Sequence, residues 1–482
     1  METLQRLHNR GSVSTGYDID YSYKNENDNA EKMTHTYDSA PTSQKKGTMS
    51  LWFKRTEVGS NIGVFQFGDD ASGDYLAVRW GRDIYGSGET YRMRIGGSTN
   101  ITLDGDGAVR DTAAWYHMVI AIDTTQATAS NRFRVYRNGE EVSMSTDNRS
   151  SLTQNTDMAI GENGKDIMIG EGVYKYNGFI AEVNYVDGQQ LTPSDFGEYD
   201  SDSGIWIPKK YTGTYGNNGF YLDFSNASNL GEDQSGNNHD FTLSNITSAN
   251  QATDTPTNNF ATINTLQANY SNLIISNGAT DIVKSGNHGW QTTTANIAVK
   301  EGKWYAEFKL DTSASLIMLG VNQIEDEAAW NGSHIGAYTN STARGMGYYS
   351  SNGYFYRNGG SGAIGSTYTA GDIISIALRI NADGTGFMGM AKNGTWQNSQ
   401  DPSSGTTGML GLEYGNPIES GIHYTFAIST HESAGGVLAN FGGFPGFTIS
   451  SGNSDANGYG NFEYTVPTGY YALCTKNLEE FG

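Results

Sequence analysis

Three acids in a row, Glu325-Asp326-Glu327, are the nearest this chain comes to a paired-carboxylate centre. Glycosyl hydrolysis needs two carboxyl groups facing one cleft. On a strand only residues two apart share a face, so Glu325 and Glu327 would pair while Asp326 points away. An acidic loop accounts for all three without catalysis. A Gly-x-Gly-x-x-Gly spacing at Gly384, Gly386 and Gly389 has no helix behind it to offer amides to a phosphate, so it reads as turn and bulge glycines. His431-Glu432 has Gly435 where a zinc protease needs its second histidine, and neither a Gly-x-Ser-x-Gly elbow nor a Walker loop is present. The chain is expected not to be an enzyme.

Binding chemistry is better represented. Tyr348-Tyr349-Ser350-Ser351-Asn352-Gly353-Tyr354-Phe355-Tyr356-Arg357 gathers aromatic rings, an amide and a guanidinium in one short stretch. Sugar sites take this form, with ring faces against pyranose and polar groups on hydroxyls. The Ser-Asn-Gly centre makes the stretch a hairpin, with Tyr349 and Phe355 expected in a core. Tyr348, Tyr354, Tyr356 and Arg357, with Trp330 upstream, are the candidate ligand-binding residues. Hard cations want clustered oxygens, which Asp104-Gly105-Asp106-Gly107 and the loop from Asp233 to Asp240 supply. Asp104, Asp106, Asp233 and Asp240 are therefore candidate calcium ligands, with plain Asx-Gly turns as the competing reading and His239 expected to close its turn by hydrogen bonding. No cofactor is required, and calcium is the one allowed for.

These residues must be positioned by strands. Tyr116, Met118, Ile120 and Ile122 alternate with His117, Val119, Ala121 and Asp123, and Phe133–Arg137 returns to Asn138-Gly139, a strong two-residue turn signal. The pattern is written again about 250 residues later: Ile374, Ile376, Leu378 and Ile380 alternate with Ser375, Ala377 and Arg379. Asp383-Gly384 then turns the chain, Phe387–Ala391 returns, and Asn393-Gly394 ends it. Such alternation predicts antiparallel strands with one face buried and the other wet. At 482 residues, rich in Gly, Asn, Ser and Thr and poor in helical periodicity, the chain is expected to be all-β in two domains. A formal charge of −22 makes nucleic acid and an anionic membrane poor partners, neither of which is expected, and the single Cys474 excludes an internal disulfide. Met1 to His8 lacks the basic start and apolar run of a signal peptide and nothing reaches membrane-spanning length, so synthesis in a host cytoplasm without membrane insertion is expected.

Strand signals begin with Met49–Arg55 and continue through Val64–Phe67, Tyr75–Trp80, Tyr91–Ile95, Asp166–Gly170 and Gly178–Gly188; Thr192-Pro193 marks a short helix start. The polar stretch 249–259, interrupted by Pro256, reads as a linker, after which Lys303–Leu310 and Ile317–Val321 open a second set. The expected division is an N-terminal segment at 1–44, serving as docking segment, first strand or both, a sandwich at 45–248, the linker 249–259 and a sandwich at 260–482.

Met49-Ser50-Leu51-Trp52-Phe53-Lys54-Arg55, Ala114-Trp115-Tyr116-His117, Arg134–Gly139, Gly178–Val183 and the Asp233-Gln234-Ser235-Gly236-Asn237 turn make the first set similar to laminin-G or pentraxin-like lectin domains. Gly302–Glu307, Gly371–Ile374, Lys392-Asn393-Gly394 and Ala439-Asn440-Phe441-Gly442 make the second resemble a SPRY domain. Both families are concanavalin A-like jelly-roll β-sandwiches, so the resemblance implies two of these in tandem behind a short N-terminal docking segment. Glycanases of this fold carry a third acid where Ala329 stands here. The juxtaposition, with Ala472–Leu478 at the carboxyl end, resembles virion proteins of tailed phages, particularly marine ones. That resemblance implies a non-enzymatic tail-fibre or tail-tip protein that recognises a host-surface glycan or other receptor. It would dock to other virion proteins through the N-terminal segment and act as a homo-oligomer, plausibly a trimer. A capsid-decoration or head-fibre role is the alternative, since the chain has no shaft sequence, and a polysaccharide depolymerase is the third.

Overall fold

A computed structural model describes residues 16–482 apart from 27–28, 58–61, 70–73, 83–88, 96–100, 106–108, 171–175, 267–271, 287–288, 312–315, 325–332, 338–344, 358–359, 413–421 and 432–434. The described chain is all-β but for short 3-10 turns and one terminal helix, Thr475–Phe481, which the sequence reading did not anticipate. It divides between Thr257 and Asn258 into two compact units.

In the first unit one eight-stranded sheet runs Glu140–Glu141, Phe133–Arg137, Tyr116–Asp123, Lys46–Arg55, Gly178–Asp187, Ser22–Asn25, Gln251–Ala252, with Phe220–Leu222 also paired to Gly178–Asp187. The other runs Met144–Asp147, Ile101–Gly105, Glu89–Ile95, Asp74–Arg82, Ile62–Asp69, Asp166–Ile169, Lys32–Thr36, Thr242–Ser244. Met49, Leu51, Phe53, Met118, Ile120 and Ile122 from the first meet Phe65, Phe67, Ile167 and Ile169 from the second in one apolar core. In the second unit a nine-stranded sheet, centred on Gly302–Leu310 and Ile373–Ile380, packs on a six-stranded sheet. The latter runs Gln291–Thr294, Tyr424–Thr430, Ile317–Gln323, Gly345–Tyr349, Tyr354–Arg357, Gly360–Ala363.

Both expected hairpins form. Arg137 pairs with Glu140 and Lys392 with Thr395. Asn138 and Asn393 sit at φ 47° and 48°, and Gly139 and Gly394 at 85° and 76°, the positive-φ pair of a type I′ turn. Both glycines also serve close approach: a Cβ on Gly139 would lie 2.5 Å from Trp206, and one on Gly394 2.7 Å from Tyr464. The short helix expected at Thr192 is a 3-10 turn, Pro193–Asp195, closed by a Thr192/Asp195 capping box.

The first strand of each hairpin has no wet face. Tyr116–Asp123 and Ile373–Ile380 are buried on both sides because a third layer covers each outer face. Phe196, Leu191, Tyr211 and Tyr215 cover Val119 and Ala121; Phe462, Val466, Tyr470 and Cys474 cover Tyr305 and Ala377. Glu307 pins the second cover by accepting the amides of Glu463 and Tyr464 at 2.8 and 2.9 Å and the Tyr305 hydroxyl at 2.8 Å.

The expected linker 249–259 is also folded. Gln251–Ala252 pairs with Ser22–Asn25, and Asp254 is buried against Lys54 and Trp115. Polar composition here marks saturated internal hydrogen bonding instead of solvent exposure. Residues 16–44 likewise belong to the first unit, supplying Ser22–Asn25 and Lys32–Thr36, and the first fifteen residues lie outside the described ones.

Candidate functional site

Register decides which side chains of the Tyr348–Arg357 hairpin reach solvent. Tyr348 pairs with Phe355, Gly347 with Tyr356 and Met346 with Arg357. Directly opposed residues share a face, so Tyr348, Phe355, Met346 and Arg357 lie inward and Tyr349, Tyr354 and Tyr356 outward. Tyr348 is 0% exposed, its hydroxyl donating to the Ser366 carbonyl and its ring 4.9 Å from Tyr368. Arg357 donates to the Gly411 carbonyl and stacks 5.3 Å from Phe355. Tyr348 is thereby corrected from a ligand-binding candidate to a core residue, while Arg357 is half-buried. Tyr349, expected in the core, is outward, because a one-residue shift of register exchanges the faces. Trp330 and Glu325 to Glu327 lie outside the described residues.

The outward rings meet partners that sequence proximity did not reveal. Trp290 lies 5.9 Å from Tyr349, 4.9 Å from His334 and 5.2 Å from His431, while Tyr356 lies 5.5 Å from His334 and 5.6 Å from Tyr349. All five rings are half-buried, Trp290, Tyr349 and Tyr356 resting on Met318, Ile335 and Ala427, and Tyr354 beyond them is 38% exposed. Strand pairing carries Trp290 there, through Gln291–Thr294 to Tyr424–Thr430, on to Ile317–Gln323 and so to Gly345–Tyr349.

The patch is aromatic and its chemistry is defined. The Nδ1–H of His334 donates to the Ile335 carbonyl at 2.9 Å, leaving Nε2 as an acceptor, and burial holds its pKa below the usual imidazole value. Asn352 donates to the Tyr356 hydroxyl at 3.3 Å. Ring faces beside an amide, a phenol and an uncharged imidazole suit a ligand with apolar patches and hydroxyls.

Two of the calcium candidates, Asp233 and Asp240, organise their own loop. Asp233 accepts the amides of Tyr221, Ser235 and His239 at 2.9, 2.8 and 2.9 Å and the Ser235 hydroxyl at 2.8 Å, and Asp240 accepts the Asp233 amide at 2.9 Å. Their carboxylates organise the turn, which His239 closes by donating to the Asn217 carbonyl at 2.9 Å. Asp104 lies in the strand Ile101–Gly105, and Asp106 lies outside the described residues. Among the described residues no three His, Cys, Asp or Glu side chains converge as a metal site.

Two constellations in the first unit have the composition of catalytic groups. Ser50 and His117 Nε2 are 2.9 Å apart, and Trp206 donates to His117 Nδ1 at 3.0 Å. Glu182 sits at a bulge with φ 51°, its carboxylate accepting the Tyr17 and Tyr221 hydroxyls at 2.7 Å each. Burial pushes its pKa up to about 7 against those two hydroxyls, with Asp223 adding to the rise. The available signal was an acid inside the otherwise apolar run Gly178–Val183.

A family model of the laminin-G type, described as the concanavalin A-like lectin/glucanases superfamily, matches residues 27–195. No curated protein matches. Among solved structures, a human SPRY domain is 14% identical with a TM-score of 0.25, over 35% of this chain and 94% of its own. The SPRY domain of human HERC1 is 18% identical with a TM-score of 0.26, over 35% and 91%. A native heptameric SAP-like pentraxin from Limulus polyphemus is 14% identical with a TM-score of 0.28, over 37% and 80%.

Proposed function

We propose that this chain is a non-enzymatic binding protein of a virion surface, a tail-fibre or tail-tip component that recognises a host-surface glycan. The observation that carries the reading is the half-exposed patch of Trp290, His334, Tyr349, Tyr356 and His431 on the outer face of the six-stranded sheet. The lectin-type family match over residues 27–195 supports a carbohydrate- or receptor-binding role for the chain. Shallow sites of this kind bind weakly, and a homo-oligomer such as a trimer, docked to the particle through the N-terminal segment, would raise avidity by repetition. Capsid decoration is the second reading, favoured by the absence of any heptad or Gly-X-Y shaft pattern in the sequence.

Two measurements test this. Antibody labelling of intact particles scores tail against head: label at the tail agrees with the proposal, and label spread over the capsid replaces it with decoration. A glycan array with the full chain and its Tyr356→Ala variant then tests the patch. Binding that falls at least tenfold in the variant is expected, and unchanged binding would move the site elsewhere.

A further inference from the structure

We propose that Lys54 and Asp254 condense into an intramolecular isopeptide bond. Their Nζ and Oδ2 atoms are 2.7 Å apart, and the side chains are 0% and 1% exposed. Lys54 lies on the outer face of the strand Lys46–Arg55, directly opposite Phe179, whose ring centroid is 5.9 Å from Nζ. Trp115 closes the other side, 6.4 Å from Phe179, and donates its indole N–H to Asp254 Oδ1 at 3.0 Å. The Asp254 backbone is fixed as well, its carbonyl accepting the Ser22 hydroxyl at 2.6 Å.

Each part of this arrangement favours amide formation. In the reaction a proton passes from Nζ to Oδ2 across the 2.7 Å contact, giving a neutral amine and a carboxylic acid. The amine lone pair then attacks Cγ; the C=O π electrons move to Oδ1, where the Trp115 N–H is already placed to hold the oxyanion. A proton from the nitrogen moves to the Oδ2 hydroxyl, the Cγ–Oδ2 bond breaks, and water leaves as the carbonyl re-forms. Atoms balance with no oxidant and no co-reactant. Fixing amine and acid at contact distance supplies the effective concentration that the free side chains lack.

A second buried lysine–carboxylate pair among the described residues is Lys24–Glu31. Lys24 lies 3.1 and 3.3 Å from the two oxygens of Glu31, but that carboxylate also accepts the Glu26 amide at 2.7 Å and the Asn29 side chain at 3.2 Å. Lys24–Glu31 is an ion pair within a hydrogen-bonded turn.

The test is the intact mass of the full, denatured chain. A deficit of one water is expected, together with a branched peptide joining the Lys54 and Asp254 segments after digestion. Dehydration at an Asp-Gly step gives the same deficit without the branch, so the branched peptide decides. Lys54→Arg and Asp254→Ala each restore the full mass. A full-mass wild-type chain with no branched peptide would overturn the proposal and leave an ion pair only. Because the decisive reading is made on the unmodified chain, misfolding of either variant does not blunt it.

Discussion

Trp206 donates its indole N–H to Nδ1 of His117 at 3.0 Å, and that single bond fixes the tautomer of the imidazole. An indole nitrogen can only donate, so Nδ1 carries the lone pair, Nε2 carries the hydrogen, and the ring donates to Ser50 instead of taking its proton. A pair spaced like nucleophile and base is thereby unable to act as one. A fluorophosphonate probe should leave Ser50 of the native chain unlabelled, as peptide mapping after exposure would show.

The same burial sets a pH dependence. Desolvation pushes the His117 pKa down to about 3 from 6.5, so below pH 6.5 the unfolded chain binds a proton that the folded one refuses. This contribution to stability is complete above pH 6.5 and is lost as pH falls toward 3, by about 1.4 kcal/mol per pH unit. Thermal unfolding of His117→Gln between pH 7 and 4 should show a shallower acid decline than the wild type.

Glu182 has the opposite sign. Its folded pKa of about 7 lies above 4.5, so its favourable contribution is complete below pH 4.5 and is lost as pH rises through 7. Glu182→Gln should gain on the order of 2 kcal/mol relative to wild type at pH 8 and little at pH 4.5, read by denaturant titration.

The inward and outward residues of the aromatic hairpin should separate cleanly. Tyr348→Ala empties a core position and should cost about 3–5 kcal/mol. Tyr354→Ala, at an exposed position, should cost less than about 1 kcal/mol. Paired denaturant titrations of the two variants make the comparison.

Much of this was legible in sequence. Asn138-Gly139 and Asn393-Gly394 announce their hairpins because the turn chemistry is local and needs φ values that few residues tolerate. The patch was not, because Trp290 reaches Tyr349 only through three strand pairings, and no short window contains both. The third layers were invisible for a related reason: Tyr211, Tyr215 and Phe462 lie in segments without strand periodicity, and what they cover is set by the fold.

The Asp233 loop should be indifferent to calcium. Chelation or addition of the ion should leave the unfolding midpoint unchanged, whereas Asp233→Ala, which orphans three amides, two of them buried, should lower stability by about 2–4 kcal/mol. A midpoint that rises with calcium would return the loop to the list of metal sites.

The pairing of Ser22 with Ala252 and Tyr23 with Gln251 has a mechanical consequence. Beside it the Ile19 amide donates to the Thr257 hydroxyl, which donates back to the Ile19 carbonyl, each at 3.0 Å. The two ends of the described part of the first unit therefore meet at one corner, on strands running in opposite directions. A pull between residues 16 and 257 loads these bonds one after another, as in a zipper, and not together as in shear. The force needed to start peeling is set by a few bonds at the corner, until the load meets Lys54 and Asp254 and the tear must stop or break through them.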